Sequence, residues 1–166
     1  MVVRSKPEVQ TRTAFAIAIL IVVLILPGAS AAQSAAPWFG TWTLNIGRST
    51  ANSDRYKRVI SRIEPWDDGL KVTYDMVGTR GGITHMEWIG KFDGNDYPVQ
   101  GVDYVLTNAY RLVNDHSYQI VIQVDGAVVA TAGVTISADG KTLTTTTTEK
   151  NPQGQNVNTT TVYEKR

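Results

Sequence analysis

The sequence predicts an all-β domain, an up-and-down antiparallel meander of about eight to ten strands closed into a β-barrel. Three observations carry that prediction. Turn formers recur at close, even spacing, at Asp68-Gly69, Gly81-Gly82, Asp93-Gly94, Asn114-Asp115, Asp125-Gly126, Asp139-Gly140 and Pro152-Gln153-Gly154. Between them apolar and polar residues alternate with a period of two, as half-buried strands require, and helical periodicity is almost absent. A meander with one apolar face hides its unpaired edges best by closing on itself, so the first and last strands should pair.

The 166-residue chain divides near Pro37. Arg4, Lys6 and Arg12 precede an apolar run from Ala14 to Leu26, followed by Pro27-Gly28 and the small-residue site Ala29-Ser30-Ala31. This is the order of a secretory signal peptide, and it assigns residues 1–31 to a cleaved signal, 32–37 to a disordered linker and 38–166 to the barrel. The run is shorter than the roughly 20 apolar residues of a membrane span, so a retained N-terminal anchor is the alternative and no stable span should remain after cleavage. The expected location is secreted or periplasmic. With no cysteine in the chain, neither a lipid-modified signal nor a disulfide contributes, and the fold must rest on its core. Beyond Ala31, 13 Lys and Arg stand against 14 Asp and Glu, a net charge of −1. That balance argues against a nucleic-acid partner.

Taken in order, strand 38–44 is WFGTWTL, and the polar stretch 45–57 after it reads as a loop over one barrel end, with room for one helical turn. Strand 58–64 follows. In strand 70–79, Leu70, Val72, Tyr74 and Met76 oppose Lys71, Thr73 and Asp75. In strand 83–92, Met86, Trp88 and Phe92 form the core set and leave His85 and Glu87 on the other face. A short strand 97–100 precedes strand 103–113, whose alternating set is Tyr104, Leu106, Asn108, Tyr110 and Leu112. Strand 117–124 alternates on Tyr118, Ile120, Ile122 and Val124, and strand 127–136 on Val128, Ala130, Ala132, Val134 and Ile136. Strands 141–149 and 156–164 send Leu143, Thr145 and Thr147, and Thr159, Thr161 and Tyr163, toward the same interior.

Gly40-Thr41-Trp42 on the first strand resembles the pattern of the lipocalin and fatty-acid-binding-protein superfamily, the calycins, where the tryptophan plugs one end of the barrel. Val162-Tyr163-Glu164-Lys165 resembles the closing strand of the fatty-acid-binding branch, and the whole is similar to small secreted bacterial lipocalin-like domains of unknown function. The resemblance implies a lipocalin-like barrel and carries Tyr163 over as a ligand contact. It does not carry a carboxylate clamp, because Thr161 stands where that branch has an arginine. Nor does it carry a helical cap, because 45–57 is too short and too polar.

The leading functional expectation is a carrier or scavenger that holds a small, largely apolar ligand in its lumen. Apolar side chains with a few hydroxyls and one amide fit such a site. The expected contacts are Tyr74, Met76, Trp88, Tyr104, Asn108, Tyr110, Thr161 and Tyr163. One rival is a solid barrel, filled by its own side chains, that serves as an envelope structural or protein-interaction module. A second is a small enzyme using His85 and Glu87, which stand two apart on one strand face as an acid–base or metal pair. No nucleophile elbow, phosphate loop or dinucleotide fingerprint is present, and the sequence nominates no cofactor and no third metal ligand. Arg55, Lys57, Arg58 and Arg62 form a basic cluster where the long loop enters the second strand, either solvated or drawing an anionic ligand or lipid headgroup to the mouth. Trp66 is expected to be exposed at the opposite end of that strand, and His116 to be exposed in a turn. Asn158-Thr159-Thr160 matches a glycosylation sequon by chance within a strand.

Overall fold

The computed structural model describes residues 36–50 and 55–166. The expected signal segment, residues 1–31, and residues 32–35 of the expected linker lie outside them.

Ten antiparallel strands follow one another: β1 Gly40–Leu44, β2 Tyr56–Trp66, β3 Gly69–Gly78, β4 Ile83–Gly90, β5 Asp93–Gln100, β6 Leu106–Asn114, β7 Ser117–Val124, β8 Ala127–Ile136, β9 Thr142–Lys150 and β10 Asn156–Lys165. Each pairs with its sequence neighbour, and β1 pairs with β10 through Leu44 opposite Tyr163, so the sheet closes into a barrel. Closure pairs the first and last strands, which an open meander would leave as edges, while β4 and β5 meet over only two residue pairs. The polar stretch after β1 contains a 3-10 turn, Ile46–Arg48, whose cap Asn45 accepts a hydrogen bond from the Arg48 amide. It then runs beside β10, where the Thr50 amide donates to the Thr160 carbonyl.

Alternation sets the two faces. Inside lie Trp42, Ile63, Leu70, Val72, Trp88, Tyr110, Tyr118, Ile120, Val134, Ile136 and Leu143, which form one continuous core. Outside, the wall is polar: Arg62 and His85 both bond Asp75, at 2.9 and 2.7 Å, and Lys71 pairs with Glu87. A barrel that faces lipid has the reverse pattern, with its apolar band outward.

Several strand limits differ from the sequence reading, each for a local reason. Trp38 and Phe39 precede β1, because Pro37 and Trp38 form a turn in which the Phe39 amide donates to the Ala36 carbonyl. Asp93-Gly94, read as a turn, begins β5 instead. Asp93 holds the Asn95 amide and the Tyr97 hydroxyl, and a register shift between Asp93 and Asp96 absorbs the irregularity. Residues 103–105 are loop, with β6 starting at Leu106. Val128 does not join the inward set of β8. A bulge places Ile122 opposite Ala130 but Gln123 opposite Val128, so Val129 is the extra residue and Val128 turns out to 61% exposure. The Asp125-Gly126 turn is as read: both residues have positive φ, +50° and +78°, which suits the two-residue hairpins that match strand twist.

One end of the barrel is closed by aromatic side chains. Trp42 is fully buried, and its indole N–H donates to the Trp38 carbonyl at 2.8 Å. Trp38 meets Phe92 and Tyr118 edge-on, at 5.3 and 6.1 Å between ring centres. Over the outer side of Trp42 lies the Lys165 ammonium, 5.0 Å from the ring centre, which also donates to the Pro37 carbonyl. Gly40 admits this arrangement. Its φ is +137°, and a Cβ there would stand 2.7 Å from the Lys165 side chain.

Candidate functional site

From the closed end upward the interior has three levels. The aromatic plug is the first. Above it Trp88 stacks on Tyr110 at 3.9 Å, and Tyr110 stacks in turn on Tyr118 at 5.5 Å. Tyr74 and Tyr163 bring two more phenols to this second level from β3 and β10. Burial pushes all four phenols up, Tyr110 and Tyr118 furthest, and hydrogen bonding by the Ser61 and Tyr110 hydroxyls pulls Tyr74 part of the way back. They therefore act as neutral donors and acceptors. Between them, a cavity of about 30 Å³ is lined by Trp42, Ser61, Tyr74, Tyr118, Thr145 and Tyr163, among others. That is room for one or two waters, far below the several hundred Å³ of a small-molecule site. The lower half of the lumen is filled by its own side chains.

The third level is the open end. Inward side chains here, including Met86, Asn108, Ile122, Thr147 and Thr161, are only half-buried. A depression of about 640 Å³ at this mouth is lined by Tyr56, Met76, Thr84, Met86 and the loop from Gly101 to Tyr104. Loop and strand lie in close contact: a Cβ on Gly101, whose φ is +90°, would stand 2.0 Å from the His85 carbonyl oxygen. Asn108 adds a buried polar atom without a hydrogen-bond partner at this level. Its main-chain carbonyl accepts the Trp88 indole N–H at 3.1 Å, while its Oδ1 is buried and meets no donor. A buried acceptor left unpaired costs about 1–3 kcal/mol, which a bound donor would recover.

The eight expected contact residues thus sit at different depths. Met76 and Tyr104 line the mouth, Tyr74 and Tyr163 the small cavity, and Trp88 and Tyr110 the stacked core. Asn108 and Thr161 are half-buried on β6 and β10. Sequence reasoning missed Tyr56, which it placed in a loop, and treated Met86 as core only. The signal for Met86 was its alternation with Trp88; for Tyr56 there was none, because β2 begins two residues earlier than its apolar pattern does.

The structure places His85 and Glu87 on the polar outer wall. They share the outer face of β4 but engage different partners, Asp75 and Lys71, with His85 more than half exposed. Asp75 is held below its ordinary value chiefly by the hydrogen bond from His85, with Arg62 adding to it. Arg62 accordingly belongs to the wall, and the basic cluster at the mouth is Arg55, Lys57 and Arg58. Trp66 is exposed at the opposite end, with the Lys71 ammonium 5.0 Å from its ring centre, and His116 is exposed in the turn between β6 and β7. Among the described residues no group of three His, Asp or Glu side chains is placed to hold a metal. No protein-family model matches the chain, and no curated protein shows significant similarity to it.

Proposed function

We propose that this protein is an exported carrier or scavenger of calycin type that binds a small, largely apolar molecule at the open end of its barrel, above the tyrosine level. The observation that carries the reading is the mouth. A depression there is lined by two methionines and two tyrosines, and the inward strand position Asn108 in the same half of the barrel has a buried, unpartnered amide oxygen. Methionine side chains adapt to varied apolar shapes, and the amide would orient a ligand that presents a hydroxyl or N–H. Membership in the calycins is supported by Gly40-Thr41-Trp42 on β1, by Val162-Tyr163-Glu164-Lys165 on β10 and by the ten-strand closure. Export is supported by the basic flank, the apolar run and the Ala29-Ser30-Ala31 site.

A ligand that buried roughly 250 Å² of apolar surface would gain about 6 kcal/mol before association costs, enough for modest affinity. Titration with an apolar fluorescent dye tests the site. The wild-type protein should bind saturably, and Met86→Arg should weaken binding tenfold or more while leaving the melting transition in place. Equal affinity in both would remove the mouth from the site. The filled lower lumen favours a second reading, a solid interaction module, and a complete lack of dye uptake by the wild type would select it.

A further inference from the structure

The open rim has an unusual outer surface. Four of the five connections at this end, or the strand ends beside them, present large apolar side chains to solvent: Ile83 after the β3–β4 turn, Tyr104 and Val105 in the β5–β6 loop, Val128 and Val129 after the β7–β8 turn, and Val157 after the β9–β10 turn. Ile83 is 81% exposed. Hairpin ends are where polar residues cost least, so a ring of apolar ones calls for an occupant.

The fifth connection supplies charge. Arg55, Lys57 and Arg58 enter β2 there, joined by Arg80 in the β3–β4 turn and Lys150 at the end of β9. None of these five is in an ion pair among the described residues. Asp103, Asp125 and Glu149 are the acidic side chains of the same rim among those residues. The opposite end is of mixed charge: Glu64, Asp67, Asp68, Asp93, Asp115 and Asp139 stand around its turns with Lys91, Lys141, Lys165 and Arg166, and Lys91 pairs with Asp68. The rim is continuous. The Thr79 amide donates to the Arg55 carbonyl at 2.9 Å, the Asp125 amide to the Val105 carbonyl at 3.0 Å, and one depression is lined by Val128, Val129, Glu149 and Lys150.

We infer that the open rim is a docking surface for an anionic lipid bilayer, with the apolar tips entering the headgroup region and the basic cluster facing its negative charge. Apolar insertion together with basic attraction is the pattern of peripheral membrane binding. A second copy of the chain fits less well, because two rims face to face would set like charges against each other around a ring of separate tips. A fluid surface accommodates tips at different heights. The outer wall, being polar, takes no part. The inference rests on the rim alone and not on a ligand being carried, so either reading can fail without the other.

The chain has no cysteine, so a single introduced one takes an environment-sensitive fluorophore at a chosen site. The full chain, as the cell makes it, is labelled at Ile83→Cys or Val128→Cys on the rim and at Leu112→Cys at the opposite end. Vesicles of phosphatidylcholine alone, or with about 30% phosphatidylglycerol, are then added. The expected result is a blue shift and intensity gain at both rim sites with anionic vesicles, and none at position 112. The triple variant Arg55→Gln, Lys57→Gln, Arg58→Gln should need at least tenfold more lipid for the same change, as should about 0.5 M salt. Site-by-site readout keeps the test valid even where the N-terminal segment tethers the chain, since Pro37 and Trp38 lie at the closed end and a tether there would bring position 112, not the rim, to the lipid. No change at the rim, equal change at both ends, or indifference to the triple variant would overturn the proposal. So would a rim signal that appears without lipid and grows with protein concentration, which would assign the rim to a second copy.

Discussion

Replacing Trp42 by alanine tests how the barrel closes. The side chain has no solvent exposure, so its removal opens a cavity that the rigid sheet on every side cannot collapse to fill. Large aromatic-to-alanine changes in such cores cost about 3–5 kcal/mol. Two specific interactions contribute within that sum. Loss of the indole N–H leaves the Trp38 carbonyl without that donor, an effect of about 1 kcal/mol or more. Loss of the ring beneath Lys165 removes a cation–π contact of about 0.5–1 kcal/mol. Against a total stability of about 5–15 kcal/mol the variant is severely weakened, and its melting temperature should fall by about 10–15 °C. Urea unfolding followed by circular dichroism measures the loss. Trp42→Phe separates the terms: it keeps most of the volume and should recover more than half the difference, while Lys165→Gln should cost no more than about 1 kcal/mol. A loss below about 1 kcal/mol for Trp42→Ala would refute the assignment of Trp42 as the plug, and with it the argument drawn from Gly40-Thr41-Trp42.

Three further predictions come from other parts of the interior and wall. Gly101→Ala places a Cβ against the His85 carbonyl in a backbone conformation that side chains rarely adopt. It should destabilise the fold by about 1–3 kcal/mol and weaken dye binding at the mouth together, as melting and titration would report. The phenols of Tyr74, Tyr110, Tyr118 and Tyr163 are raised by burial, so the stability that they confer as neutral groups is complete below their ordinary value near 10 and declines as pH rises above it. Spectrophotometric titration should find them silent until the protein unfolds, with alkaline unfolding in one step. Asp75 is depressed instead, so its contribution is present above its ordinary value of 3.8 and fades as pH falls through the folded value. Asp75→Asn should therefore flatten the acid limb of the stability curve slightly, the effect being limited by solvent screening at a side chain 39% exposed. An unchanged acid limb would show that the Arg62–Asp75–His85 contacts contribute nothing measurable.

How far the fold was readable in the sequence follows from which forces are local. Two-residue alternation and turns such as Asp125-Gly126 depend on a few neighbouring residues, and they located ten strands and the pairing of the first with the last. The bulge at Val129 does not announce itself, since Val128, Val129 and Ala130 are all apolar and any register satisfies the pattern. Asp93-Gly94 carries the composition of a turn, and only its contacts with Asn95 and Tyr97 reveal it as the irregular start of a strand. The depth of each interior residue is less legible still. Tyr74, Tyr110, Tyr118 and Tyr163 come from four strands, and whether their rings leave a ligand-sized space or close it depends on shear and stacking that no single strand encodes. The same holds for Met86 and Tyr56, which share a mouth with Tyr104 only because β2, β4 and the loop before β6 meet at one end.

The central claim is that the barrel carries a small apolar molecule at its open end, and native mass spectrometry addresses it most directly. The protein is purified from its own source cells with bound molecules retained, and its mass is compared before and after unfolding in the spectrometer. The expected result is a stoichiometric small-molecule adduct that is released on unfolding and absent from the Met86→Arg variant. A clean apo mass, with no uptake of lipids or apolar dyes afterward, would contradict it and leave the solid barrel and its outer surface as the working parts.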